Sequence, residues 1–169
     1  MIIMKIKKIV LSALLATLTC VATFIVRIPS PVGGYINLGD CMVLISGWLL
    51  GPLYGFLSAA VGSALADISA GYVLYAPVTF LIKGIMALVA AIIHKSISNK
   101  STVAANIVGG TIAEIIMILG YFVFEWAIYD FGGALANVPS NAAQGVAGIV
   151  VAILLYTVLK RNINKIFYE

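Results

Sequence analysis

An all-α polytopic membrane protein, a bundle of six transmembrane helices, is the fold class that this sequence predicts. Composition is the first reason: 63% of the 169 residues are apolar and 9% are charged. A soluble domain carries about 25% charge, so this chain lacks the polar surface to cover itself in water. Apolar runs long enough to approach a bilayer span, ~20 residues each, are the second reason. The third is their punctuation by Gly, Pro and short polar stretches. No linker, low-complexity tract or internal repeat divides the chain, so residues 1–169 read as one membrane domain.

The first predicted span is Ile9–Ile28, ended by Pro29 and Pro31. As a signal peptide it is too long, since a usual apolar core has ~7–15 residues. Thr17-Leu18-Thr19 before Cys20 also makes a poor lipoprotein cleavage site, so a retained helix is expected. The second span, Cys41–Leu50, is short. It is either tilted or crosses only part of the bilayer at protein-lined depth. Gly51-Pro52 separates it from Leu53–Ala70. Gly71 and Pro77 bracket the turn to Val78–His94. The polar stretch Lys95–Thr102 leads to Val103–Ile128. Gly132-Gly133 and Pro139 mark a last loop before Ala142–Leu159.

Basic residues set the orientation. Lys5, Lys7 and Lys8 precede the first span, Lys95 and Lys100 follow the fourth, and Lys160, Arg161 and Lys165 follow the sixth. With six spans, all three clusters share one side, which places both termini in the cytoplasm. The net charge of +4 is then a topology signal rather than a nucleic-acid footprint. The outer loops are Pro29–Gly39, Gly71–Pro77 and Tyr129–Pro139.

Charges inside a bilayer cost ~2.5–3.5 kcal/mol each on insertion scales, yet several are kept. At 1.5 Å per residue, Lys83 lies ~9 Å, Asp67 ~6 Å and Glu125 ~5 Å below the outer boundary. Asn37, Asp40, Asn141 and Gln144 fall at the same side. Taken singly, each has a structural alternative. Asp67 and Lys83 either neutralise each other or meet a ligand. Asp40 reads as the N-cap of the second helix. Asn141 and Gln144 fit interhelical hydrogen bonding, and Glu125 fits an interfacial position. Their convergence on one side favours a site. Glu114, Ile118, Tyr121 and Glu125 share one helical face. Glu114, ~16 Å in from Val103, either deepens the pocket or is protonated and hydrogen-bonded to a neighbour. Tyr35, Tyr72, Tyr75, Trp126 and Tyr129 gather at the outer ends, as an interfacial belt or as ring contacts.

Small residues form stripes on the first span (Ser12, Ala16 and Cys20, beside Ala13 and Thr17) and on the third (Gly55, Ala59, Ser63 and Asp67), which let helices approach closely. No Gly-Lys-Ser/Thr phosphate loop, metal-ligand spacing, nucleophile elbow or His-based acid–base pair occurs. An enzyme, a cofactor, a resident metal and self-sufficient ATP hydrolysis are therefore not expected.

Tyr35-Ile-Asn-Leu-Gly-Asp40, Leu50-Gly-Pro-Leu-Tyr-Gly-Phe56, Gly62-Ser-Ala-Leu-Ala-Asp67, Gly71-Tyr72, Tyr75-Ala-Pro77, Lys83-Gly84 and Val138-Pro-Ser-Asn-Ala-Ala-Gln-Gly145 occur in that order. In order and spacing the chain resembles the substrate-binding S-components of energy-coupling factor (ECF) vitamin transporters, nearest the hydroxymethylpyrimidine and pyridoxine branch. The resemblance implies a six-helix bundle that binds its vitamin from outside. It also implies partners, namely a transmembrane scaffold subunit and two ABC-type ATPases. An AxxxA pattern on the first helix contacts the scaffold in that family. Here Ala13 is followed at that spacing by Thr17, and Ser12–Ala16 is the alternative frame. The expected ligand is a small, flat, nitrogen-containing ring held by Lys83, Glu125, Asn141 and Gln144, with Tyr35, Asn37, Asp67, Tyr72, Tyr75 and Tyr121 around it. Pro29–Gly39, with Gly33-Gly34, is expected to act as its lid. The competing class is a non-transport accessory or structural membrane protein.

Overall fold

The computed structural model describes the backbone of residues 2–168 and the side chains of residues 6–160. The basic residues Lys5, Arg161 and Lys165 lie outside the described side chains. Six helices carry the fold: α1 (Ile2–Ile25), α2 (Gly39–Leu50), α3 (Pro52–Ser69), α4 (Ala76–Ile97), α5 (Thr102–Ile128) and α6 (Phe131–Tyr168). Among the described residues, α1, α4, α5 and α6 are long and apolar enough to cross a membrane. Their outward faces carry exposed Leu14, Leu81, Leu119 and Leu154, as a lipid-facing surface requires.

α2 is the axis of the bundle. It packs on α1, α3, α4 and α6, while α1–α3, α3–α4, α4–α5 and α5–α6 pack as neighbours around it. All but one of its residues are buried. A helix that is apolar all round belongs inside other protein, which explains how a 12-residue helix suits a membrane domain. Glycine makes the tight packing possible. A Cβ on Gly47 of α2 would stand 2.4 Å from the Ala87 carbonyl oxygen of α4. One on Gly62 of α3 would stand 2.3 Å from the Ala16 carbonyl oxygen of α1.

The Ser12–Ala16 frame of α1 therefore faces α3. The Ser58 hydroxyl of α3 also donates to the Ser12 carbonyl at 2.7 Å. Ala13 and Thr17 lie on the exposed side of α1.

Two stretches differ from the sequence expectation. α1 ends at Ile25, and Ile28-Pro29 (β1) pairs antiparallel with Tyr35-Ile36 (β2), so the first outer loop is a small hairpin. Gly33 and Gly34 at its tip have φ of 134° and 71°, which favour glycine. The last outer loop, expected at Tyr129–Pro139, is helical from Phe131 onward. Asp130 Oδ1 accepts from the Gly133 amide at 2.7 Å and caps the start. Gly132-Gly133 thus sit in a capped first turn, and Pro139 is carried inside the helix.

Candidate substrate-binding site

The polar residues expected at the outer ends of the helices meet beneath the hairpin and above the N-terminus of α2. The C-terminus of α3 closes with the Gly71 φ at 87° and with the Tyr72 amide bonded to the Asp67 carbonyl at 2.8 Å. This six-to-one closure of a Schellman end sets Asp67 one turn below the end of α3. α5 presents Glu125 and, one turn deeper, Tyr121. α6 presents Asn137, Asn141 and Gln144 at i, i+4 and i+7 spacing on one face.

A cavity of about 30 Å³ lies between these elements. Tyr35, Asn37, Asp67, Tyr75, Tyr121 and Glu125 line it, joined by Asn141 and Gln144. The Tyr35 hydroxyl donates to Asp67 Oδ1 at 2.7 Å. Burial, then the neighbouring Asp67 carboxylate, push the Tyr35 hydroxyl above the ordinary tyrosine pKa, so it stays a donor. The Tyr75 hydroxyl donates to Glu125 Oε1 at 3.4 Å. Thr79 and Tyr121 share a hydrogen bond of 3.0 Å. Tyr75 stacks edge-on to Tyr72 and Phe124, at 6.1 and 5.1 Å between ring centres.

Two expected residues fall elsewhere. Lys83 does not line the cavity. It is buried and pairs with Asp40, not with Asp67, because α2 runs through the bundle centre and brings Asp40 to α4. Asp40 is accordingly not an N-cap. Leu38 occupies that position without a side-chain bond, and Asn37 Oδ1 accepts the Gly39 amide at 2.8 Å instead. The second Asp40 oxygen accepts from Gln144 Nε2 at 2.6 Å, while Gln144 Oε1 accepts the Asn37 amide at 2.8 Å. Tyr72 lies outside the cavity, against Tyr35 at 4.8 Å and a shallow groove with Arg27. Trp126 is exposed and packs on Phe122 and Phe131. Glu114 is buried against Gly145 and Gly148 with neither oxygen hydrogen-bonded. It lies deeper than the cavity and has no neighbour bonded to it.

Ser30, Gly34 and Thr79 also line the cavity, and Asn137 holds its roof. The Asn137 side chain accepts from the Val32 amide at 3.3 Å and donates to the Gly33 carbonyl at 3.2 Å. Its spacing with Asn141 and Gln144 is the sequence signal that could have found it.

The family model described as "ECF-type riboflavin transporter, S component" matches residues 3–161. The chain belongs to the S-component family of ECF transporters. S components are the substrate-binding subunits of these importers and not enzymes, so this chain is the vitamin- or precursor-binding subunit of a membrane transporter. It is similar to a Lactococcus lactis subsp. cremoris protein named thiamine precursor transporter HmpT, 25% identical over 159 residues, covering 93% of this chain and 90% of that one. A Pyrococcus woesei protein, described as an uncharacterized protein in the gap 3′ region, is 37% identical over 147 residues, or 86% of this chain and 97% of its own. Among solved structures, the S component of a bacterial ECF transporter superposes with a TM-score of 0.75 at 25% identity, covering 94% and 98% of the two chains.

Proposed function

We propose that this S component captures a small nitrogen-containing ring compound, of the hydroxymethylpyrimidine or pyridoxine class, at the outer face. A transmembrane scaffold and two ABC-type ATPases then drive its release inside. The cavity carries this reading. It combines tyrosine rings, three amide side chains and two carboxylates beneath a hairpin roof, and that mix of apolar faces and convergent polar groups suits a small heteroaromatic alcohol. Ligand pockets commonly measure ~300–1,000 Å³. A site of about 30 Å³ must therefore open at the hairpin to load, and a single ring demands less opening than a fused three-ring system. The thiamine precursor named for the Lactococcus relative points the same way. The exposed Ala13–Thr17 side of α1 is the available frame for the scaffold, since Ser12 and Ala16 are engaged by α3.

Riboflavin is the second reading, favoured by the description of the matching family. Mass spectrometry of small molecules released from the detergent-purified protein separates the two. A pyrimidine or pyridine alcohol is the expected finding, and riboflavin supports the second reading. Failure to bind hydroxymethylpyrimidine, pyridoxine or riboflavin, together with failure to co-purify ATPase subunits, would favour an accessory role.

A further inference from the structure

Both carboxylates that line the cavity keep one buried oxygen without a hydrogen-bond partner. Asp67 is 5% exposed and Glu125 3%. The first oxygen of each is used by a tyrosine hydroxyl, from Tyr35 and Tyr75. The second oxygens, Asp67 Oδ2 and Glu125 Oε2, have no partner. Thr79 lies beside Asp67 and Asn137 beside Glu125, but their hydrogen bonds within normal distance go to Tyr121 and to the hairpin backbone. A buried carboxylate oxygen left unsatisfied is costly, and two in one cavity point to a ligand that supplies the missing donors.

The charged residues that line the cavity are both acidic. No Lys, Arg or His lines it among the described residues, and the nearby ammonium of Lys83, 5.5 Å from the centre of the Tyr121 ring, is paired with Asp40. The two carboxylates come from α3 and α5, the helices that flank α4 on either side. A flat ring lying between them would meet one carboxylate at each of two edges.

We propose that the cavity selects a ring with hydrogen-bond donors on two opposite edges, one for Asp67 and one for Glu125, and rejects anionic ligands. The inference rests on the cavity being the vitamin site. It adds specificity residues and a rule of charge. An exocyclic amine, a hydroxymethyl group or a protonated ring nitrogen satisfies it. A carbonyl-edged ring sets acceptor against acceptor, and a phosphate ester brings more negative charge to a site that already holds two carboxylates.

The test is a binding titration on the purified full chain with hydroxymethylpyrimidine, its oxo analogue (the exocyclic amine replaced by a carbonyl), its phosphate ester, and riboflavin. Each is measured on the parent, Asp67→Asn and Glu125→Gln, with the ligand-free Tm of each variant recorded alongside. The amine form should bind ~10- to 150-fold more tightly than the oxo form, the range for one charged hydrogen bond. That ratio should shrink in at least one variant while its ligand-free Tm stays near the parent value. Equal binding of amine and oxo forms, a ratio unchanged in both variants, or tight binding of the phosphate ester would overturn the inference and leave the small-ring reading standing. Binding of riboflavin alone would instead remove the small-ring reading. The two-edge rule would then be decided by whether Asp67→Asn and Glu125→Gln weaken riboflavin, and unchanged affinity in both would overturn it.

Discussion

Lys83 is buried inside the bundle, where a lone charge is costly, and Asp40 of α2 offsets that cost by direct pairing. Gln144 holds the other Asp40 oxygen, so the pair is fixed from three helices. Removing one member of a buried pair leaves the other uncompensated, at ~3–5 kcal/mol. Lys83→Met should therefore lower the Tm of the ligand-free protein sharply. Adding Asp40→Asn should recover most of the loss, since an asparagine oxygen still accepts from Gln144. A Lys83→Met protein that melts like the parent but loses ligand affinity would return Lys83 to the binding site. The sequence suggested Asp67 as the partner of Lys83, because Asp40 and Asp67 fall at the same end of their helices and Asp40 read as a cap. Only the central course of α2, a property of the assembled bundle, decides between them. The inward set on α5 was legible, because 3.6-residue periodicity alone puts Glu114, Tyr121 and Glu125 on one face.

At the scale of elements, the roof of the site is a hairpin clamped at three points. Tyr35 ties it to α3, Gln144 ties its end to α6 through the Asn37 amide, and Asn137 binds its tip. The first two contacts involve groups that line the cavity. Asn137 acts mainly on the backbone of Val32 and Gly33 and also lies beside Glu125, so its removal should loosen the roof while leaving every residue that lines the cavity in place. Asn137→Ala should speed ligand dissociation by ~5- to 150-fold, matching ~1–3 kcal/mol for unsatisfied buried groups. It should also hasten proteolysis between residues 29 and 39, with saturating ligand restoring protection. Unchanged dissociation and equal cleavage with and without ligand would show that the hairpin is not a lid. This latch was hidden in the sequence because Gly132-Gly133 and Pro139 read as loop signals, and their inclusion in α6 depends on the Asp130 cap. Helix contacts follow a simpler rule. Gly62→Leu forces α3 off the α1 backbone, so it should cost at least the ~1–3 kcal/mol typical of overpacking, whereas Ala13→Leu on the exposed side should leave Tm unchanged and weaken capture of the scaffold.

Across the whole molecule the two ends differ in kind. One end gathers the hairpin, the cavity and two buried carboxylates. At the other, Lys95 and Lys100 flank the α4–α5 turn and Lys160 bonds to Thr102 at the start of α5. α6 spans 38 residues, ~57 Å at 1.5 Å per residue, longer than a hydrocarbon core of ~30 Å. Eight of the ten basic residues lie at the second end in the six-helix order, and short basic loops stay cytoplasmic. The cavity end is therefore expected to face outward, as capture from outside requires. The native thiols are half-buried Cys20 and buried Cys41. With both replaced by Ala, single thiols report the topology. Val73→Cys, in the exposed α3–α4 turn, should react with an impermeant maleimide on intact cells. Asn99→Cys, in the exposed α4–α5 turn, should react only after permeabilisation. The reverse pattern would turn the site toward the cytoplasm, where it could not load an importer. Labelling of both positions in intact cells would mean that α4 does not cross the bilayer between them.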